Sequence, residues 1–498
     1  MLLVIDIGTS NFKAALFDYQ GNCRSFAAQP MVMGVEENPA GEGENGGPSA
    51  EEANPEQWLR AFAGTLSRLD SPAAVEAVVI SGNGPTLTPV TGRPGITAGG
   101  DLSLPAGMAR LWLDRRATVE AKTVSALTGG FVDPGFFLPK ALLLKSRDPG
   151  LYEKTRWFLS PAEYLACALT GEARTVLPSA GFERWYWNDG LLDATGLDRE
   201  KFPPFIPPGE CIGLLSGAAA SRFGFSREVR VIAGGPDFFV SILGTGAVRP
   251  GAACDRSGTS EGINLCTENR VRDSRLMCYG HPVSPYWNLS GIISTSGRAI
   301  RWGRELLGME KLPYPAFYEL AAAAPAGAGG LIFLPYLAGE RAPIWDPRAR
   351  GVFLGLSLST GRRELARAIV EGVCFAIRDV ITVMEEAGAP LRDLRVSGGP
   401  GESPVFNQLK ADISGRPVLL PARRDAELLG LTMLGAAAMG KYASAGEAAG
   451  ALVSIVREYA PAEQHASRYD RLFEDYRGLY RSLKAQFANN LDSREDNS

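Results

Sequence analysis

The chain has 498 residues, 45% of them hydrophobic and 21% charged, with a formal net charge of −4. That length exceeds the roughly 250–300 residues at which single cores stop growing, so at least two domains are expected. Dispersed Lys and Arg exclude a nucleic-acid or anionic-membrane footprint, and no apolar stretch reaches the roughly 18 residues needed to cross a bilayer.

In chain order, the apolar run Leu2–Ile5 turns at Gly8, the pattern of a buried strand entering a hairpin, with Leu16-Phe17-Asp18 on the returning strand. Residues 36–56 are acidic and rich in Gly, Pro and Asn, a surface loop. Pro55–Leu69 reads as a helix and Ala77–Ile80 as a strand ending at Ser81-Gly82, before a second loop at 82–107 whose later part, 91–107, has no assignable contacts. Thr118–Leu127 and Pro139–Lys145 read as helices. Val229–Ala233 is a strand expected to stop at Gly234-Gly235-Pro236-Asp237, with an apolar helix from Phe238.

After Gly246 the pattern restarts. Strands flank Gly258-Thr259-Ser260, and a hairpin is expected near Tyr279–Trp287. Gly361–Gly388 is a long amphipathic helix with Leu365, Ile369, Val373, Ile377 and Ile381 at helical spacing. Leu394–Val396 is a strand opening into Gly398-Gly399-Pro400-Gly401, followed by a helix from near Ser403 through Asp412. Glu427–Met439 is small and apolar, suited to tight helix packing, and Tyr469–Phe487 closes with an amphipathic helix. The organisation expected is two related α/β domains, 1–246 and 247–498, flanking a cleft.

Seven cysteines form no CxxC pair or disulfide-like framework, and Met1–Ile5 runs into Asp6 without a signal-peptide flank, so a reduced, cytoplasmic protein is expected. Only two histidines, His281 and His465, are present, so proton chemistry falls to carboxylates. Asp6-Ile7-Gly8-Thr9-Ser10 and Gly258-Thr259-Ser260 are two glycine–hydroxyl loops. Each could be an ordinary hairpin; paired, they read as two halves of a phosphate clamp, because glycine lets backbone amides approach an anion. Asp6 is placed to hold a hydrated Mg²⁺. Asp237 stands at a strand end, where it fits a helix N-cap and equally a base taking the proton of a sugar hydroxyl.

Taken in order, these stretches resemble the FGGY family of carbohydrate kinases, which includes xylulokinase and glycerol kinase. The resemblance is carried by Asp6–Lys13, Trp112–Ala117, Pro134–Lys140, Ser160–Glu172, Gly234–Asp237, Phe333–Leu356 (FLPYLAGERAPIWDPRARGVFLGL, the most specific piece), Gly398–Gly415 and Glu427–Ala437. It implies two actin/hexokinase-like (ribonuclease H-like) ATPase domains, the first binding sugar and holding the base, the second binding nucleotide. Asp237 would be the base and Asp6 the acid facing Mg²⁺. Thr9, Ser10 and Lys13, with Gly8, would hold the β- and γ-phosphates, joined by Gly258 and Thr259. Gly297 and Arg301 would approach the nucleotide, and Gly399 and Ser403 its adenosine. Family relatives are often dimers or tetramers, so a homodimer is within expectation.

The departures concern the acceptor: Asn83-Gly84-Pro85 replaces the family's polar residues after the third strand, and Phe238 replaces the polar residue after the base. The expected activity is ATP-dependent phosphorylation of a hydroxyl on a keto-sugar or polyol, xylulokinase-like, with no nucleic acid or membrane partner. The alternatives are a non-catalytic sugar- or nucleotide-sensing protein on the same fold, or a kinase for a non-pentulose polyol.

Overall fold

The computed structural model describes residues 1–31, 51–70, 74–130, 132–179 and 181–495, and most of the acidic 36–56 segment lies outside them. The chain divides into two compact units, Met1–Gly244 with Glu427–Leu452, and Thr245–Ala426 with Val453–Ser498. Each has its own apolar core.

The first unit is built on a six-stranded sheet. Its strands are β1 (Leu2–Ile7), β2 (Asn11–Phe17), β3 (Cys23–Pro30), β4 (Ala77–Gly82), β5 (Cys211–Leu214) and β6 (Arg230–Pro236), in the order β5-β6-β4-β1-β2-β3. β1, β4 and β6 are parallel neighbours, while β2, β3 and β5 run antiparallel to their partners. Every residue of β1 and β4 is buried, as expected of central strands covered on both faces.

The second unit has a seven-stranded sheet of β7 (Ala252–Ser257), β8 (Glu261–Thr267), β9 (Met277–Gly280), β10 (Trp287–Ile293), β11 (Asp393–Ser397), β12 (Val418–Pro421) and β13 (Ile455–Tyr459), in the order β9-β10-β8-β7-β11-β12-β13. Again an antiparallel set beginning with a tight hairpin lies on one side, and two parallel neighbours with an antiparallel edge strand lie on the other. The internal repeat suggested by the paired Gly-Thr-Ser loops is therefore present in strand order.

Three sequence expectations are revised. β6 does not stop at Ala233: it continues through Gly234 to Pro236, with its register against β4 shifting between Ala233 and Gly235. The 82–107 loop contains short strands at Thr88–Val90, Gly95–Ile96 and Leu102–Ser103, the last two paired with each other. Glu427–Leu452, read as part of a continuous 247–498 domain, packs in the first unit.

The cause of that last difference is close backbone contact made by small residues. Helix α1 (Asp237–Gly244) follows β6, and α4 (Ala426–Ala438) lies against it; between them in the chain come α2 (Gly297–Leu306) and α3 (Pro404–Ser414). A Cβ on Gly430 would sit 1.9 Å from the Val240 carbonyl oxygen of α1, and one on Gly435 would meet Val79 and Leu2 of the sheet. Among the described residues no helix is long and apolar enough to cross a membrane, and all seven cysteines are free thiols.

Two predictions test this packing. Gly430→Ala forces a methyl against immovable backbone and lowers stability by about 2–3 kcal/mol in chemical denaturation. His281 is buried, its Nδ1 accepts from Val283 N at 3.0 Å, and its Nε2 donates to the Ala247 carbonyl at 3.0 Å. Burial lowers its pKa from 6.5 to about 4. The unfolded chain then takes up this proton first as pH falls through 6.5, and stability is lost down to pH 4. Between pH 7 and 4.5 the wild type loses about 2 kcal/mol more than His281→Gln, read from urea midpoints at both pH values.

Candidate active site

Three neighbouring strands of the first sheet end at one level. The parallel registers set Asp6 of β1 beside Ser81 of β4, and Ser81 beside Gly235 of β6. The antiparallel register sets Asp6 opposite Lys13 of β2. Carboxyl ends of parallel strands are where open α/β sheets bind ligands. Ser81 donates to Asp6 Oδ1 at 2.8 Å. β6 passes directly into α1, whose first residue is Asp237, and Asp237 Oδ1 accepts from Phe238 N at 2.6 Å. Glu427 of α4 joins them: Ser241 Oγ lies 2.8 Å from the Asp237 carbonyl oxygen and 2.9 Å from Glu427 Oε1.

Burial, together with the Glu427 and Asp237 carboxylates, pushes the Asp6 carboxyl up to about 7, against the pull of Lys13 and Ser81. Asp6 is only 5% exposed, whereas Asp237 is half-buried. The sheet edge therefore holds one sunken acid and one within reach of a ligand. Among the described residues no three His, Cys, Asp or Glu side chains are grouped to chelate an ion. The donor set suits a hydrated Mg²⁺, which takes one or two carboxylates and completes its shell with water and phosphate oxygens. The surplus negative charge around Asp6 favours a cation there.

The first glycine loop is held tightly. Gly8 N donates to the Asn11 carbonyl at 3.0 Å, and a Cβ on Gly8 would come within 2.9 Å of that oxygen. Trp112 Nε1 donates to Thr9 Oγ1 at 3.0 Å, which gives the Trp112–Arg116 stretch a role in shaping the loop. Ser10 is exposed. Asn83 Nδ2 donates to the Ile7 carbonyl at 3.0 Å and Asn83 Oδ1 accepts from Thr86 Oγ1 at 2.6 Å. Its amide thus ties two loops together. Gly84 and Pro85 follow it, and Phe238 stacks on Phe182 with centroids 6.1 Å apart. Beneath them Lys140 is fully buried, donating to the carbonyls of Pro85 at 2.7 Å, Leu111 at 2.5 Å and Arg110 at 3.3 Å. Burial drags its pKa down to about 7, while three carbonyl acceptors favour the ammonium.

In the second unit Gly258 and Thr259 occupy the exposed turn between β7 and β8. Gly297 N donates to the Gly258 carbonyl at 2.9 Å, and a Cβ on Gly297 would clash with that oxygen at 2.4 Å. Ser296 N and Arg298 N donate to the Thr259 carbonyl at 3.3 and 3.2 Å. The turn is thereby clipped to the first residues of α2, where Arg301 is exposed. Gly398, at φ 80°, lies so close to Ser257 that a Cβ would be 1.9 Å from its carbonyl oxygen. Gly399 is exposed beside it, and Ser403 caps α3 by accepting from Phe406 N at 3.2 Å. These contacts bring Gly258, Thr259 and Gly297 together and set the Gly398–Gly399 turn against Ser257, with Ser403 at the start of the following helix. The 333–356 string acts as scaffold: Phe333 stacks on Trp302 of α2 at 5.6 Å, and Glu340 Oε1 accepts from Ser294 N at 2.6 Å.

Two groups had no role in the sequence reading. Glu427 opens a helix of small apolar residues, and the one available signal was an acid in an otherwise apolar run. Lys140 closes the Pro134–Lys140 motif without an assigned role, and only the fold reveals its three carbonyl acceptors.

A mixed sheet built twice, each copy with a Gly-Thr hairpin at its centre, is the actin/hexokinase-like ATPase architecture of phosphotransferases. Residues 1–244 match the N-terminal domain and residues 256–439 the C-terminal domain of the FGGY family of carbohydrate kinases, and the chain belongs to that family. It is an ATP-dependent carbohydrate kinase with an alcohol group as acceptor. It is similar to a xylulose kinase of Escherichia coli, 29% identical over 97% of this chain and 99% of that protein. It is also similar to a gluconokinase of Bacillus subtilis, 25% identical over 99% of this chain and 98% of that protein. The crystal structure of xylulose kinase from Rhodospirillum rubrum superposes with a TM-score of 0.80 at 25% identity, covering 98% of this chain and 99% of that one.

Lys140→Met should leave the Pro85 carbonyl without its donor, while Arg110 and Leu111 keep the backbone donors Leu87 N and Asp114 N, and should lower stability by about 1–2 kcal/mol, measured by urea denaturation at pH 7.

Proposed function

We propose that the acceptor is a keto-sugar or related polyol, a ketopentose by preference, and that Asp237 is the base. The observation that supports this most directly is a half-buried Asp237 on the same sheet edge as the buried Asp6. As the acceptor oxygen attacks the γ-phosphorus of ATP, Asp237 takes the hydroxyl proton. Phosphoryl transfer depends chiefly on positioning and charge neutralisation, so an ordinary carboxylate at that point suffices. Asp6 would hold Mg²⁺, which when bound neutralises phosphate charge. Gly8, Thr9, Ser10 and Lys13 would bind the β- and γ-phosphates. Gly258, Thr259, Gly297 and Arg301 would bind the nucleotide, with Gly399 and Ser403 at its adenosine. In this division the first unit serves the sugar and the second the nucleotide, in the cytoplasm.

Gly84, Pro85 and Phe238 would line the acceptor site, with Asn83 shaping the loop. A stacked aromatic at Phe238 removes a hydrogen-bonding partner beside the base, and polar contacts to hydroxyls give the sharpest discrimination. Among ketopentoses that favours one with its hydroxyls disposed differently from xylulose, and a sugar acid is the second reading because a gluconokinase is among the relatives.

Asp237→Asn is expected to lower kcat by about 10³-fold while ATP binding by calorimetry stays within twofold. Retained turnover would remove Asp237 from the chemistry. A panel of ketopentoses, polyols and gluconate in a coupled ADP-release assay should give the highest kcat/KM for a ketopentose. Preference for gluconate would favour the second reading.

A further inference from the structure

Beneath the exposed Gly258–Ser260 turn lies a fully buried ionic cluster. Lys410 of α3 donates to Asp255 Oδ2 at 2.5 Å, Ser257 Oγ at 2.8 Å and Glu261 Oε1 at 2.5 Å, filling its three N–H positions. Ser257 Oγ donates onward to Glu261 Oε1 at 2.7 Å, and Ser296 Oγ donates to Glu261 Oε2. Lys410, Asp255 and Glu261 have no exposed side-chain surface. We propose that Lys410, with Asp255 and Glu261, forms a positioning network that sets the geometry of the nucleotide-binding turns. It rests on the reading of Gly258, Thr259, Gly297, Gly399 and Ser403 as nucleotide residues.

The connectivity carries the argument. Asp255 and Ser257 are on β7, immediately before the turn, and Glu261 begins β8 immediately after it. Ser296 precedes Gly297 at the start of α2. Lys410 belongs to the helix that Ser403 caps, and Asn407, one turn before it, donates to the Gly401 carbonyl at 2.7 Å. One ammonium thus ties together every segment of the second unit that presents a candidate nucleotide residue. A change at Lys410 is felt at the turn, at the α2 start and at the Gly398–Gly401 turn together.

Charge leads to the same role. With both carboxyls ionised, the cluster would carry a surplus negative charge under a turn meant for phosphate. Burial, and then the neighbouring Glu261 charge, lift Asp255 well above the usual carboxylate range. Burial opposes ionisation of Glu261 too, yet Lys410 and its hydrogen bonds outweigh that and hold it well below the usual range. Lys410 thus offsets the charge of Glu261 beneath the turn. A well-packed apolar core is often as stable as a buried ion pair. Directional, charge-assisted hydrogen bonds add a single fixed placement, and reactions limited by positioning lose rate and affinity on displacements near 1 Å.

The test measures steady-state kinetics and ADP binding by calorimetry for Lys410→Met, Ser296→Ala and Thr259→Ala. Lys410→Met should raise the KM for ATP and the Kd for ADP about tenfold, with sugar KM and kcat at saturating ATP within about twofold. If Lys410→Met fails to fold, Ser296→Ala decides, since it removes only the link from Glu261 to α2, and a threefold or greater rise in ATP KM is expected. Unchanged ATP KM in the folded variants, with only a lower Tm, overturns the proposal and leaves the cluster a core feature. Thr259→Ala separates the two layers: if it raises ATP KM and the network variants do not, the network fails alone. If Thr259→Ala also leaves ATP KM unchanged, the nucleotide reading of the turn has failed and the network's role goes with it.

Discussion

Register is the constraint on which the first unit's chemistry depends. Strand residues alternate faces, so a slip of one position between β1 and β4 would turn Asp6 away from Ser81 and toward the opposite side of the sheet. Two continuous buried strands fix that pairing. β6 then needs an adjustment, and the shift around Gly234 supplies it: a Cβ there would sit 2.4 Å from the Ile80 carbonyl oxygen, so only a bare backbone passes. The adjusted strand sets Gly235 at the level of Asp6 and delivers Asp237 two residues beyond it, at the same sheet edge. Charge follows from geometry, because burial and then the Glu427 and Asp237 carboxylates at the same edge raise the proton affinity of Asp6.

The second unit solves a related problem with the same sheet and different fastening. Its turn residues are exposed and their own contacts are few, so the turn is set from below and from the side. Backbone-to-backbone approaches at Gly297 and Gly398 bring neighbouring segments against it. The longest family-specific string, 333–356, supports these segments from behind through Phe333 and Glu340. Motif length and chemical role therefore part company: the most recognisable stretch is scaffold.

Much of this was legible in the amino-acid order. Short all-apolar strands ending in Gly-Thr-Ser announce buried strands and tight turns, and the 3.6-residue stripe from Leu365 to Ile381 marks the long helix, observed as Arg362–Glu386. The strand leading into Asp237 lies where the sequence expects it but runs on to Pro236, since Gly-Gly-Pro normally breaks a strand and here a register shift accommodates it. What composition cannot encode is which distant segment a group meets. Lys410 pairs with residues some 150 positions away, and Ser241 with Glu427 at a separation of 186. The same limit hid the placement of Glu427–Leu452, because a helix of small residues fits any smooth surface and its sequence does not say which core receives it. Asn83, which the resemblance set among the acceptor-site residues, also has its amide joining the Ile7 carbonyl to Thr86, a link between distant segments that the sequence does not spell out.

The excursion of the chain out of its first unit and back has a consequence for biosynthesis. A ribosome that has released everything up to Gly244 has delivered all six strands of that sheet but not the helix that seals it, since Ala426–Ala438 emerges only after the whole intervening unit. Apolar surface around Val79 and Leu2 stays uncovered through that interval. The nascent polypeptide is then most dependent on holding factors midway through translation, and the later unit is free to fold before the earlier one is complete.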